Sequence, residues 1–119
     1  MFRRGQIVLD LVTKTPSLIL KIKYLQKKVT VLDLKTLRPC DRDFTDLEPW
    51  NPPGGGGAAV PGTHFSEEDV DGIISLLERH TTLTPPREIE YKTHREQTAL
   101  NKVIQFHDAL YPKRVLAYV

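Results

Sequence analysis

The sequence predicts an α+β protein: a small β-barrel or curved antiparallel sheet first, then a Gly/Pro linker, then a helical hairpin with a short terminal strand. Three observations carry this. Up to about residue 50 the chain alternates apolar and polar residues and is rich in β-branched side chains. Residues 53–62 are almost all Pro, Gly and Ala. After Phe65 the apolar residues recur at helical spacing. The boundaries read as 1–52 for the barrel-like domain, 53–64 for the linker and 65–119 for the helical domain.

In the first half, Gln6 to Val12 forms a β-branched run, and Thr13 to Ser17 carries a turn signal. From Leu18 the alternation places Leu18, Leu20, Ile22 and Tyr24 on one face, with Ile19, Lys21, Lys23 and Leu25 on the other. After Gln26-Lys27-Lys28, the segment Val29 to Leu34 alternates again. Arg38 to Asp43 is polar and turn-like, and Phe44 to Trp50 suits a short closing strand or a single helical turn. Three strands, two short connections and a closing element in fifty residues suggest a small, strongly bent sheet or barrel. The opening Gly5-Gln6-Ile7-Val8-Leu9 and the later Asp46-Leu47-Glu48-Pro49 resemble the small barrels of the Src-homology-3-like type, including KOW and Tudor modules. The resemblance covers about 50 residues and implies a fold but no binding residues. The chain departs from it at the first hairpin, where Pro16 stands instead of the usual glycine.

The run Gly54 to Gly57, flanked by Pro52-Pro53 and Pro61, cannot hold a helix or a central strand. It predicts irregular chain and halves free of one fixed orientation. Beyond it, Ser66 with Asp69 makes an N-cap and capping box, and Phe65 with Val70 a hydrophobic staple. Val70, Ile73, Ile74 and Leu77 then line a helix ending near Arg79-His80, which Gly72 weakens. Arg87 to Lys92 is an extended link, a strand, or an early start of the next helix. Thr93 and Glu96 have capping-box spacing, and the helix they open carries Ala99, Leu100, Val103, Ile104, Phe106, His107, Leu110 and Tyr111, stopping at Pro112. The tail Val115-Leu116-Ala117-Tyr118-Val119 is apolar and β-prone, so it is expected to pair with a sheet edge, join the core or dock on a partner. No internal repeat is expected, since the two halves differ in type.

Composition bounds function. A single cysteine, Cys40, allows no internal disulfide. The start lacks the apolar run of a signal peptide, and no apolar stretch is long enough to span a bilayer. A cytoplasmic protein without membrane partners is expected. Residues 1–52 carry ten Lys/Arg and six Asp/Glu, and residues 53–119 carry seven and nine. The basic half suits an anionic partner or attraction to the acidic half.

Chemical motifs are sparse. His64, His80, His94 and His107 are too widely spaced for a zinc site. Asp41 beside Cys40 disfavours a reactive thiolate. The glycine run lacks the Lys-Ser/Thr of a phosphate loop. Asp41, Asp43, Asp46 and Glu48 lack the spacing of a calcium loop and read as a solvated cluster meeting Arg38 and Arg42. No catalytic residue, metal or cofactor is therefore expected.

Lys21, Lys23, Lys27 and Lys28, with Arg3, Arg4 and Lys14 nearby, form a candidate phosphate-contacting patch on which Tyr24 or Trp50 stacks a base. The competing reading is that edge strands carry lysines to block aggregation. Leu116 and Tyr118 are candidate contacts in the tail. The leading expectation is a non-catalytic protein–protein adaptor or assembly component. The alternative is a nucleic-acid-associated accessory factor.

Overall fold

In the computed structural model of the chain, residues 2–50 and 65–111 are described. Five strands, β1 (Ile7–Asp10), β2 (Thr15–Lys23), β3 (Lys28–Asp33), β4 (Pro39–Asp43) and β5 (Leu47–Pro49), precede two helices, α1 (Glu67–Arg79) and α2 (His94–Leu110). The strands form one antiparallel sheet in the order β4-β3-β2-β1-β5. The segment expected to be turn-like, Arg38 to Asp43, instead supplies β4: its register against β3 runs from Leu32↔Pro39 to Lys28↔Asp43. Its polar composition fits an edge strand, and none of its side chains is fully buried. Phe44–Asp46 forms a single 3-10 turn leading into β5, so both expected forms of the closing element occur in succession.

The sheet buries apolar side chains on both faces. One face gathers Val8, Ile19, Val29, Val31 and Leu47, with Phe2, Ile22, Cys40 and Phe44 packed against them. The other presents Ile7, Leu18, Leu20, Leu32, Leu34 and Leu37 to the helices. Arg42 on β4 reaches Asp10 on β1, with Nε 2.9 and 3.1 Å from the two carboxylate oxygens. Two strands lie between them in the sheet order, so the sheet is rolled with its inner face curled around that cluster.

The expected alternation breaks at one residue. Ile19 pairs with Val31 but Lys21 pairs with Thr30, so Leu20 is an extra residue, a bulge. Leu18 and Leu20 both face the helices, and the parity then reverses. Ile22 joins Ile19 on the inner face rather than Leu18 and Leu20.

The helices complete the outer core. Ser66 Oγ accepts from Asp69 N (3.1 Å) while Asp69 accepts from Ser66 N (2.9 Å), a full capping box. Val70, Ile73 and Leu76 of α1 and Ala99, Leu100, Val103 and Phe106 of α2 are buried with the sheet's outer leucines in one cluster. Full burial of each such large side chain contributes about 1.5–3 kcal/mol. The segments on either side of residues 51–64 therefore share a core rather than orienting independently. Two glycines make the close approaches. Gly5 sits at φ +87°, its carbonyl accepts from Phe65 N, and an added Cβ would overlap the Phe65 carbonyl. At Gly72 an added Cβ would lie 2.8 Å from Arg95 O and 2.9 Å from Ala99 Cβ, so this glycine is where α1 and α2 cross.

Glu96 departs from the capping-box expectation. Thr93 Oγ1 accepts from Glu96 N, but the Glu96 carboxylate turns to Arg79 at the end of α1 (2.5 and 2.8 Å) and to Lys92 N (2.8 Å). The segment expected to be extended or helical holds a 3-10 turn at Pro86–Glu88 followed by extended chain. The linker expectation for 53–62 and the terminal strand both lie outside the described residues.

Candidate functional site

The β1–β2 and β3–β4 connections are the same turn twice. Val8-Leu9-Asp10-Leu11-Val12-Thr13-Lys14-Thr15-Pro16 and Val31-Leu32-Asp33-Leu34-Lys35-Thr36-Leu37-Arg38-Pro39 share Val-Leu-Asp-Leu, then Thr, then Pro at the same offsets. This corrects the expectation of no internal repeat. Asp10 Oδ1 accepts from Val12 N (2.9 Å) and Thr13 N (3.5 Å), and Asp33 Oδ1 accepts from Lys35 N (2.8 Å) and Thr36 N (3.3 Å). The aspartate carbonyls accept from Lys14 N (2.6 Å) and Leu37 N (2.7 Å). Lys14 (φ 61°) and Leu37 (φ 59°) both take the left-handed conformation. The proline pairs with the leucine before the aspartate each time, Leu9↔Pro16 and Leu32↔Pro39. Each turn also leans on its neighbouring strand segment in the same way: Leu11 N donates to Asp46 O (2.8 Å) and Leu34 N to Pro16 O (3.0 Å). An aspartate whose side chain binds the backbone two residues on explains why this sequence makes this turn.

The surroundings of the two turns differ. The β3–β4 turn is covered by the helical half. Leu34 and Leu37 are buried, Leu83 N donates to Leu37 O (2.9 Å), Thr84 Oγ1 to Thr36 O (2.6 Å) and His107 Nδ1 to Leu34 O (2.7 Å). The β1–β2 turn is bare: Leu11 is 41% and Val12 61% exposed. Among the described residues, no group bonds the carbonyls of Leu11, Thr13 or Lys14. Beside Val12 lies a hollow of about 190 Å³ lined by Lys28, Asp41, Arg42, Asp43 and Asp46.

The β2–β3 turn is the second exposed tip. Tyr24 is 61% exposed and Leu25 fully so, with Lys27 left-handed at φ 54°. Phe44 packs edge-on between Phe2 (5.7 Å between ring centres) and Tyr24 (6.5 Å). Lys21, Lys23, Tyr24, Lys27 and Lys28 are all exposed on this hairpin. Acids share the lysine face. Lys28 pairs with Asp43 across the strands, Lys21 with Thr30, and Thr30 with Asp41. Lys23 Nζ lies 3.4 Å from Asp41, whose carboxyl is held below the ordinary range by the Thr30 hydroxyl and by Lys23. Arg4 is engaged elsewhere, with Glu67 (2.6 Å), Asp71 (2.8 Å) and Leu20 O (3.0 Å). Trp50 is half-buried against Phe106, 6.0 Å between ring centres. Leu116 and Tyr118 lie outside the described residues.

Burial pushes the Cys40 thiol above its ordinary value, and the neighbouring aspartates add to this against Arg42. Among the described residues, no three His, Cys, Asp or Glu side chains are grouped to hold a metal, and no helix is long and apolar enough to cross a membrane. The sequence reading missed Leu11, Val12 and Leu25 as surface features. The recurring nine-residue pattern was the available signal for the first two. No protein-family model, curated protein or solved structure matches this chain.

Proposed function

We propose that the protein is a non-catalytic protein–protein interaction module, or an assembly component of a larger complex, that works through exposed turns of a Src-homology-3-like small barrel. Two phrases support the barrel type. Gly5-Gln6 leads into β1, and Asp46-Leu47-Glu48-Pro49 falls on the 3-10 turn and the closing strand β5. One observation carries the functional reading: of the five large apolar side chains exposed among the described residues, Leu11, Val12, Tyr24 and Leu25 sit on two sheet turns. Exposed apolar groups gathered on sheet turns fit contact surfaces. The test is crosslinked capture from the source cells with the wild-type chain and a Tyr24→Ser/Leu25→Ser variant. The variant is expected to keep its melting temperature and lose partners. An unchanged set of captured proteins would overturn the reading.

The nucleic-acid reading is favoured by a narrower observation, the exposed Tyr24 set between Lys23 and Lys27. It requires binding to mixed-sequence RNA or DNA that weakens steeply with salt. No binding at low salt would remove it.

A further inference from the structure

The two equivalent turns carry information about what a bare one accepts, because the covered one shows the chemistry. On the β3–β4 turn, the extended pair Leu83-Thr84 supplies a backbone N–H to the carbonyl of the left-handed residue and a hydroxyl to the carbonyl before it. The Leu83 side chain is fully buried in the shared core with Leu34 and Leu37. The β1–β2 turn offers the same acceptors at Lys14 and Thr13, in the same backbone, with Leu11 in the place of Leu34 as the apolar contact; Lys14 stands where the covered turn has Leu37, and Val12 where it has the exposed Lys35. We propose that the β1–β2 turn is a docking site for an extended segment of a partner protein with the pattern apolar residue, then Thr or Ser, followed by a basic residue. This rests on the interaction-module reading and names the segment that one of its turns takes.

Charge fixes the third element of the pattern. The hollow beside Val12 is rimmed by Asp41, Asp43 and Asp46 together with Lys28 and Arg42. Asp41 is bonded to Thr30 and Lys23, and Arg42 is bonded to Asp10. Among the described residues, Asp43 and Asp46 make no side-chain hydrogen bond or ion pair, although Lys28 stands opposite Asp43 across the strands. The two carboxylates complement a cation arriving next to the apolar anchor. The chain's own copy of the segment cannot serve, because Leu83-Thr84 already sits on the β3–β4 turn.

The probe is a synthetic peptide of residues Thr81–Glu88, which contains Leu83, Thr84 and the basic Arg87. It is titrated into the 15N-labelled full chain to about 2 mM, the concentration range suited to a small, weak contact. The expected result is saturable amide shifts at Leu11 to Lys14 and at Asp43 and Asp46. Peptides carrying Leu83→Asp or Arg87→Glu are expected to bind at least tenfold more weakly. A chain carrying Leu11→Asp, shown by its spectrum to be folded, is expected to lose the shifts. No shifts at the β1–β2 turn, shifts confined to Leu34 to Leu37, or equal binding of the Leu83→Asp peptide would overturn the proposal. Each of those results leaves the capture experiment with Tyr24 and Leu25 free to succeed or fail on its own.

Discussion

Asp10 and Asp33 cap the same turn in the same chain, which provides an internal control for the Asp10–Arg42 ion pair. An Asp→Asn substitution keeps the Oδ1 acceptor for the turn N–H groups at either position and removes the charge. At Asp33 the change affects only hydrogen bonds within the turn, so a loss of about 0.5–1.5 kcal/mol is expected. At Asp10 the carboxylate is 0% exposed and Arg42 only 19%, so Asp10→Asn leaves a mostly buried guanidinium without its counter-charge. Breaking one side of a buried pair costs about 3–5 kcal/mol, and the partial exposure of Arg42 lowers this to about 2–4. Each kcal/mol shifts the midpoint of a small domain by roughly 4–8 °C. The Asp10→Asn chain should therefore melt about 8–32 °C below wild type, and the Asp33→Asn chain about 2–12 °C below. Adding Arg42→Met to Asp10→Asn should restore part of the loss, because the uncompensated charge is gone. Thermal unfolding followed by circular dichroism measures all four chains. Equal losses at Asp10 and Asp33 would refute the argument that the ion pair holds the rolled sheet closed.

Other outcomes follow from the packing. Gly5→Ala should destabilise by about 3 kcal/mol or more, since it adds both left-handed strain and overlap with backbone; denaturant midpoints measure it. Gly72→Val should be destabilising by about 1–3 kcal/mol despite valine's better helix propensity, because α1 and α2 must part; the same denaturant titration reads it. Arg79 and the Lys92 backbone N–H hold the Glu96 carboxyl down at about 2, below its ordinary 4.5. The stability this contributes is present above pH 4.5 and lost as pH falls toward 2. Glu96→Gln should flatten the stability–pH curve in that window, and an unchanged slope would show that the pair contributes nothing measurable.

Much of the fold was legible because local rules dominate it. Ser66 and Thr93 cap helices where their spacing to Asp69 and Glu96 indicated, and α1 ends at Arg79 as the following polar run implied. Strand β4 was hidden because this edge strand has no fully buried side chain and so lacks the apolar alternation that marks the others. Ile22 was assigned to the wrong face because the Leu20 bulge leaves no sign in an apolar run. Leu11 and Val12 looked like strand residues, since both are apolar and follow a β-branched run. The aspartate two residues before Val12 ends that run by capturing its N–H. Lys21 and Lys23 are exposed, but the bulge moves them off the Ile19 face on which alternation put them. The placing of Lys23 and Lys28 beside Asp41 and Asp43 depends on β4, which the sequence did not reveal.

The bulge gives β2 one position at which its length can change without moving its neighbours. Leu20 has no partner of its own, so removing it brings Ile19↔Val31 and Lys21↔Thr30 into simple succession. Ile22 would stay on the inner face, and Lys21 and Lys23 would stay in water. The losses would be local: the Leu20 side chain in the outer core, the acceptor for Arg4 Nε, and the extra twist that a bulge adds to a rolled sheet. A single deletion on the Ile22 side of the bulge has the opposite character, because it exchanges the two faces of all that follows up to the turn. Chains descended from this one should therefore gain or lose a single residue at Leu20 or in the turns, and elsewhere in β2 only in compensating pairs.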